Sequence, residues 1–229
     1  MNQIGCNQDG EMKTPTVNKP HIDCDPEELL LLVVSSGWTK RVLPKALGGW
    51  GAEIQEMQSA LRSLVDIHPA AAWLAWSQAM VIEALVKSNN VAVRENVLPD
   101  LIDGSRAGAV SWSGDLGLGL PPHPVVAAEL QRGWSLRGRL TSVLNLQWMG
   151  YVVLCPVWFM ADADHVPRLS WTLLRSEEDG LRHVVDRHRL FTRQAACGVV
   201  EIDGVYFRED ELLADQGESM STSLRVLDQ

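Results

Sequence analysis

The chain has 229 residues, 29 of them acidic against 20 basic, for a net charge of −9. That length suits one large domain or two small ones burying roughly 70% of the unfolded surface, and the acidic balance, unbroken by a Lys/Arg cluster, excludes the electrostatic footprint of a nucleic-acid binder. The four cysteines, Cys6, Cys24, Cys155 and Cys197, form no C-x-x-C pair, and the N-terminal "MNQIGCNQDGEMK" offers no apolar run to serve as a signal, so free thiols in a cytoplasmic protein are expected.

Residues 1–22 are polar and contain Pro15 and Pro20, which predicts a disordered tail. Asp25 is a good N-cap, Pro26 fits a first helical turn, and Glu28 stands where a capping box places its acid. They open a helix, "PEELLLLVVSS", that Gly37 ends. Next comes "LPKALGGWG", where Gly48, Gly49 and Gly51 surround Trp50. Such density marks backbone that turns left-handed or lies against another surface.

Ile54, Met57, Leu61, Leu64 and Val65 form the stripe of an amphipathic helix that His68-Pro69 breaks. A third helix, from about Ala70 to Val86, is apolar nearly all round and therefore buried on several sides. Ser77, Gln78 and Glu83 interrupt it and would be costly in lipid, so it reads as a core helix and no membrane span is expected. A fourth, "VAVRENVLPDLIDG", ends at Gly104.

From Ala107 the runs become short, rich in Val, Leu and Trp, and separated by turns such as "QRG" and "SEEDG". Strands are expected at Ala107 to Ser113, Val125 to Leu130, Ser135 to Arg139, Gln147 to Phe159, Arg168 to Leu174, His183 to Asp186 and Cys197 to Phe207. Helices first and strands second define an α+β chain: a helical N-terminal domain over 23–105, a β-barrel-like antiparallel domain over 106–215, and a tail over 216–229.

Chemistry-bearing motifs are sparse. Asp162, Asp164 and His165 in "ADADH" could hold a metal, yet aspartates favour turns, and a turn between strands accounts for them without one. His183 and His188 fall five apart and would face opposite sides of a strand, so no metal site is expected. The glycine-rich "GDLGLGLPPHP" does not run from strand into helix, which removes the dinucleotide fingerprint; it is either a mobile loop or a ligand-facing one.

The order of segments resembles the first two domains of the acyl-CoA dehydrogenase family, including its flavin monooxygenase branch, over roughly residues 25 to 215. Pro44, Gly48, Gly49 and Gly51 match the family's Pro-x-x-x-Gly-Gly-x-Gly turn. "DIHPAAAWLAW", "NVLPDLIDG", "GWSLRGRLTSVLN" and "FTRQAACGVVEIDGVYFREDELL" are similar to its following helices, strand pair and closing strand.

The resemblance implies an FAD site against "SWSGDLGLG" and the strand ending at Asn145. Ser111, Trp112, Ser113 and Gly114 would face the flavin edge, with Trp112 or Trp148 beside the ring. The positions of the family's flavin-packing tryptophan and threonine are here Ser142 and Leu144, and its Glu-Pro pair is absent from the first segment. The family's C-terminal helical bundle, with the dehydrogenases' catalytic glutamate, has no counterpart in these 229 residues. A homo-oligomer or second polypeptide would then cover an exposed apolar face.

Three functions follow from the resemblance and its departures. One is a flavin-dependent oxidoreductase component acting on an acyl thioester or related small molecule. Another is a flavin-free small-molecule-binding protein, cyclase or isomerase using the interdomain cleft, with Asp115 as its acid/base group. The third is a noncatalytic subunit of a full-length homologue. The tryptophans, nine against two tyrosines and three phenylalanines, would line an apolar cavity in the second case.

Overall fold

The computed structural model describes residues 24–111, 125–159 and 168–213. Five helices come first: α1 (Pro26–Ser35), α2 (Trp38–Val42), α3 (Ile54–Ile67), α4 (Pro69–Lys87) and α5 (Val91–Asp103). Strands β1 (Ala107–Ser111), β2 (Val125–Leu130), β3 (Gly133–Leu144), β4 (Tyr151–Phe159), β5 (Arg168–Arg175), β6 (Leu181–Val185) and β7 (Gly198–Phe207) follow, with the short helix α6 (Leu190–Gln194) between the last two. The architecture is α+β, as expected.

Helix α4 is the core around which the other helices pack. Its residues are buried over nearly the whole circumference, Leu74, Ala75, Ala79, Val81, Ile82 and Leu85 among them. It touches α1, α2, α3, α5 and β1. His68 ends α3 and starts α4, its Nδ1 accepting from the Ala71 N–H at 3.3 Å. Asp25 caps α1 through the Glu27 N–H at 3.0 Å. The reciprocal acid contact expected of Glu28 occurs instead at α3, where the Glu53 N–H donates to Glu56.

The glycine turn folds back onto α2 rather than simply joining two helices. Trp50, Gly51 and Ala52 donate backbone N–H groups to Lys40, Leu43 and Arg41. The Trp50 ring lies over Gly37, where a Cβ would come within 2.6 Å of it, and the Arg41 guanidinium sits 5.1 Å from the ring centre. A glycine is required at 37 by both φ of 81° and this contact.

The sheet closes on itself. β1 pairs with β4 in parallel, β4 with β2 in parallel, β2 with β3 antiparallel, and the end of β3 returns to β1 antiparallel, Val110 opposite Leu144. β5 extends from β4, while β7 and then β6 extend from β3. Strand β4, "YVVLCPVWF", is a continuous apolar run because both its faces are covered. Pro156 falls in the gap between the partner stretches of β1 and β2, so that side of the ladder demands no donor from it. Cys24, Cys155 and Cys197 are free thiols, and burial pushes the Cys155 thiol up.

Arg106 clamps α5 to the β5–β6 turn, with Nη1 2.9 Å from Glu177 and Nε 3.7 Å from Asp100. That hydrogen bond lowers the Glu177 pKa from 4.5 to about 2. The folded value lies below the unfolded one, so the contribution is complete above about pH 4.5 and is lost as pH falls toward 2. Glu177→Gln should flatten that acid limb of a Tm-versus-pH curve while changing neutral-pH stability by under ~1 kcal/mol, since the pair is solvent-screened. A variant with the parent's acid slope would assign the effect to another group.

Candidate functional site

Strands β1 and β3 meet at Ser111, opposite Val143, and the Ser111 hydroxyl donates to the Thr141 carbonyl at 2.7 Å. Here β3 is irregular. Its register against β7 shifts between Leu140 and Val143, and Ser142 and Asn145 adopt φ of 52° and 66°. Ala196, which follows α6, is also left-handed at 44°. Backbone bonds join these segments, Asn145 N–H to Ala195 and Leu146 N–H to Ala196, each at 3.0 Å. Non-glycine residues in this region cost about 1–3 kcal/mol each and persist only where their surroundings hold them.

For Asn145 a buried amide network supplies that hold. Gln78, on α4, accepts at Oε1 from the Gly108 N–H at 2.7 Å and from Asn145 Nδ2 at 3.1 Å. Its Nε2 donates to the carbonyls of Leu101 and Arg106. Asn145 Nδ2 also reaches the Gly108 carbonyl, and Asn145 Oδ1 accepts from Gln147 Nε2 at 2.8 Å. Gln147 continues to the Pro26 carbonyl at 3.2 Å, so the start of α1, α4, the end of α5, β1 and the end of β3 share one network. Gly108 fits because a Cβ there would meet Val81 at 2.9 Å.

Among the described residues expected to face a cofactor, this geometry separates Trp148 from Ser111. Asn145 is fully buried, with its amide committed inside the helix–sheet junction. Trp148 is 84% exposed on the turn before β4. That turn adjoins the start of β1, where the Ala107 N–H donates to Gly150, whereas Ser111 ends β1 four residues on, about 13 Å at the usual strand rise. Trp112, Ser113, Gly114 and Asp115 lie outside the described residues, as do Asp162, Asp164 and His165. His183 lies on β6 with its ring 5.2 Å from that of Tyr151, and burial lowers its pKa. Among the described residues no His/Cys/Asp/Glu group could hold a metal.

The parts played by Thr141, Gln78 and Gln147 were not legible in the sequence, whereas Ser142 was, as the position of the family's flavin-packing tryptophan. The available signal was Gln78 itself: an amide in a helix apolar on every side needs buried partners. A separate groove of about 540 Å³, lined by Arg41, Gln55, Glu56, Ser59, Ala60 and Ser63, lies on the helical half. Arg41 there faces the Trp50 ring.

This order of helices and closed sheet is the fold of acyl-CoA dehydrogenases. Butyryl-CoA dehydrogenase from Megasphaera elsdenii is similar over 87% of this chain with a TM-score of 0.68 at 16% identity, covering 53% of its own length. Dibenzothiophene monooxygenase from a Paenibacillus species matches over 84%, with a TM-score of 0.65 at 18% identity and 47% of its length. A protein solved with FMN and a dTDP-linked amino sugar matches over 85%, with a TM-score of 0.65 at 16% identity and 48% of its length. The chain thus spans about half the length of the solved structures it matches. No family model matches the sequence, and no curated protein matches it significantly.

Proposed function

We propose that the chain is the flavin-bearing half of an oxidoreductase of the acyl-CoA dehydrogenase type, acting on an acyl thioester or a related small molecule. A second polypeptide or another copy would complete the site and supply the base. The observation that carries this reading is the shared fold, spanning more than four-fifths of the chain, with proteins named as dehydrogenases, as a monooxygenase and as an FMN complex.

The donor set at the β1 end suits one part of a flavin. Ser111, Thr141 and Ser142 place three hydroxyl-bearing residues at the meeting of β1 and β3, Ser142 exposed and the other two half-buried. Hydroxyls suit the polar edge of an isoalloxazine, and Ser142 presents its own from a left-handed backbone at φ 52°. The fit is to that edge. A bound flavin would supply the electron-pair acceptor, while this chain's groups would orient the ring and exclude water.

The flavin-free reading draws on a specific observation too. Asn145, the residue retained from the family's flavin segment, spends its amide inside the protein. Titration with FAD and, separately, FMN distinguishes the two. Uptake with a perturbed visible spectrum supports the oxidoreductase reading; a colourless protein that takes up neither overturns it and leaves the cleft as a flavin-free pocket.

A further inference from the structure

Between Gly37 and Ala52 the chain carries Lys40, Arg41 and Lys45 and no acidic residue, although its net charge is −9. Lys40 and Lys45 are exposed, whereas Arg41 is half-buried. Its guanidinium lies 5.1 Å from the centre of the Trp50 ring. The turn that carries this ring is bonded back onto α2, the Trp50 N–H donating to the Lys40 carbonyl at 2.7 Å. Among the described residues no carboxylate pairs with Arg41 and no acceptor takes a hydrogen bond from its guanidinium. A cation that has given up part of its water normally finds acceptors for its N–H fork, because bonds to a charged donor are costly to leave unmade.

Arg41 lines the groove of about 540 Å³, and the rest of the lining comes from α3. Met57 and Leu61 turn that helix's apolar stripe into the core, which leaves Gln55, Glu56, Ser59, Ala60 and Ser63 along the groove. Serine and alanine are the small side chains that keep it open. The Ser63 hydroxyl is committed to the Ser59 carbonyl at 3.0 Å. The Ser59 hydroxyl and the Gln55 amide have no such commitment among the described residues. Glu56 is the acid in the lining, and its Oε2 accepts from the Glu53 N–H at 3.2 Å. The groove therefore offers a cationic fork and neutral donors against a single carboxylate that is already partly engaged.

From this arrangement we infer that the groove between α2 and α3 is a binding site for a small organic carboxylate. A carboxylate is planar and matches the guanidinium fork with parallel hydrogen bonds, while Ser59 and Gln55 supply further donors from the opposite wall. Glu56 selects for a single negative charge. One guanidinium offsets a monoanion, whereas a phosphate dianion would in addition be repelled by Glu56. The free oxygen of Glu56 suits a hydroxyl or amide on the ligand, and the small residues at 59, 60 and 63 leave room for a body of several carbons. The inference stands apart from flavin binding, since it uses none of the hydroxyls at the β1 end.

The test titrates benzoate into the isotope-labelled full chain at constant ionic strength, with benzamide as the neutral counterpart and inorganic phosphate as the competing anion, and follows backbone amide signals by nuclear magnetic resonance. Benzoate should move the amides of Ser59, Ala60 and Ser63 to saturation, and benzamide should leave them in place. Arg41→Lys keeps the charge and loses the fork, so it should weaken benzoate on the order of tenfold. Ser59→Ala, at an exposed position that the fold tolerates, should weaken it about threefold, which keeps the test open if Arg41→Lys disturbs the packing on Trp50. Circular dichroism confirms that each variant is folded. Benzoate shifts that fall elsewhere in the chain overturn the inference, as does benzamide moving the same amides. Phosphate binding there as tightly as benzoate, or folded variants that both bind like the parent, would overturn it equally.

Discussion

Replacing Gln78 with leucine is expected to destabilise the protein by about 3 kcal/mol or more, lowering Tm by roughly 10 °C for a domain of this size. The size is similar, but the chemistry is not. Leucine would leave the Gly108 N–H without its 2.7 Å acceptor and the Leu101 and Arg106 carbonyls without their donor. Asn145 would lose one of its two acceptors while remaining fully buried. Each buried group stranded in this way costs about 1–3 kcal/mol. Because Asn145 is held left-handed by this network, the same variant should loosen the end of β3. Hydrogen exchange at the Asn145 and Leu146 amides, which bond to Ala195 and Ala196, should accelerate along with the global loss. A Tm within two degrees of the parent would show that water replaces the amide and that the network is not a structural tie.

Gly49→Val is the second large effect, and here the variant should fail to fold at 37 °C. The reason is not a left-handed backbone: Gly49 does not belong to the positive-φ set. A Cβ at this position would sit 2.1 Å from the Leu43 carbonyl oxygen and 2.3 Å from the Leu43 Cβ, and neither can move away without opening the turn. Alanine should therefore be nearly as damaging as valine. Gly48 makes the contrast, since its φ is 80° but nothing lies within 4 Å of a Cβ there. Gly48→Ala should cost only the left-handed penalty of about 1–2 kcal/mol. Urea unfolding of the two alanine variants separates backbone conformation from close approach. Equal losses at 48 and 49 would contradict the packing account.

Much of the helical half was legible because its signals are local. Asp25, Pro26, His68-Pro69 and Gly104 punctuate the chain where the helices in fact begin and end. The short α2 and α6 were not legible, for five residues are too few to show a period. In the β half β3 proved longer than its expected Ser135 to Arg139, running from Gly133 to Leu144, because the polar residues at 137, 139 and 142 look outward while the strand continues. Strand β4 begins at Tyr151 rather than Gln147; residues 147–150 are instead spent on the Trp148 turn. In the same way the glycine turn was readable as a bend, but not as a hairpin laid against α2 with Trp50 closing over Gly37.

What the residues settle by themselves is composition, period and punctuation: an α+β order of helices before strands, one helix buried all round, and a glycine turn that must be tight. These depend on neighbours a few positions apart in the chain. The tertiary structure alone decided what Gln78, Asn145 and Gln147 do, because their partners lie 23 to 121 residues away except for the single link between Asn145 and Gln147. It alone placed Ser111 and Trp148 at opposite ends of β1 and brought α6 against α1. Hydrogen bonding and charge complementarity are set by distance in space, and a closed sheet with parallel and antiparallel returns places residues far apart in sequence at hydrogen-bonding distance.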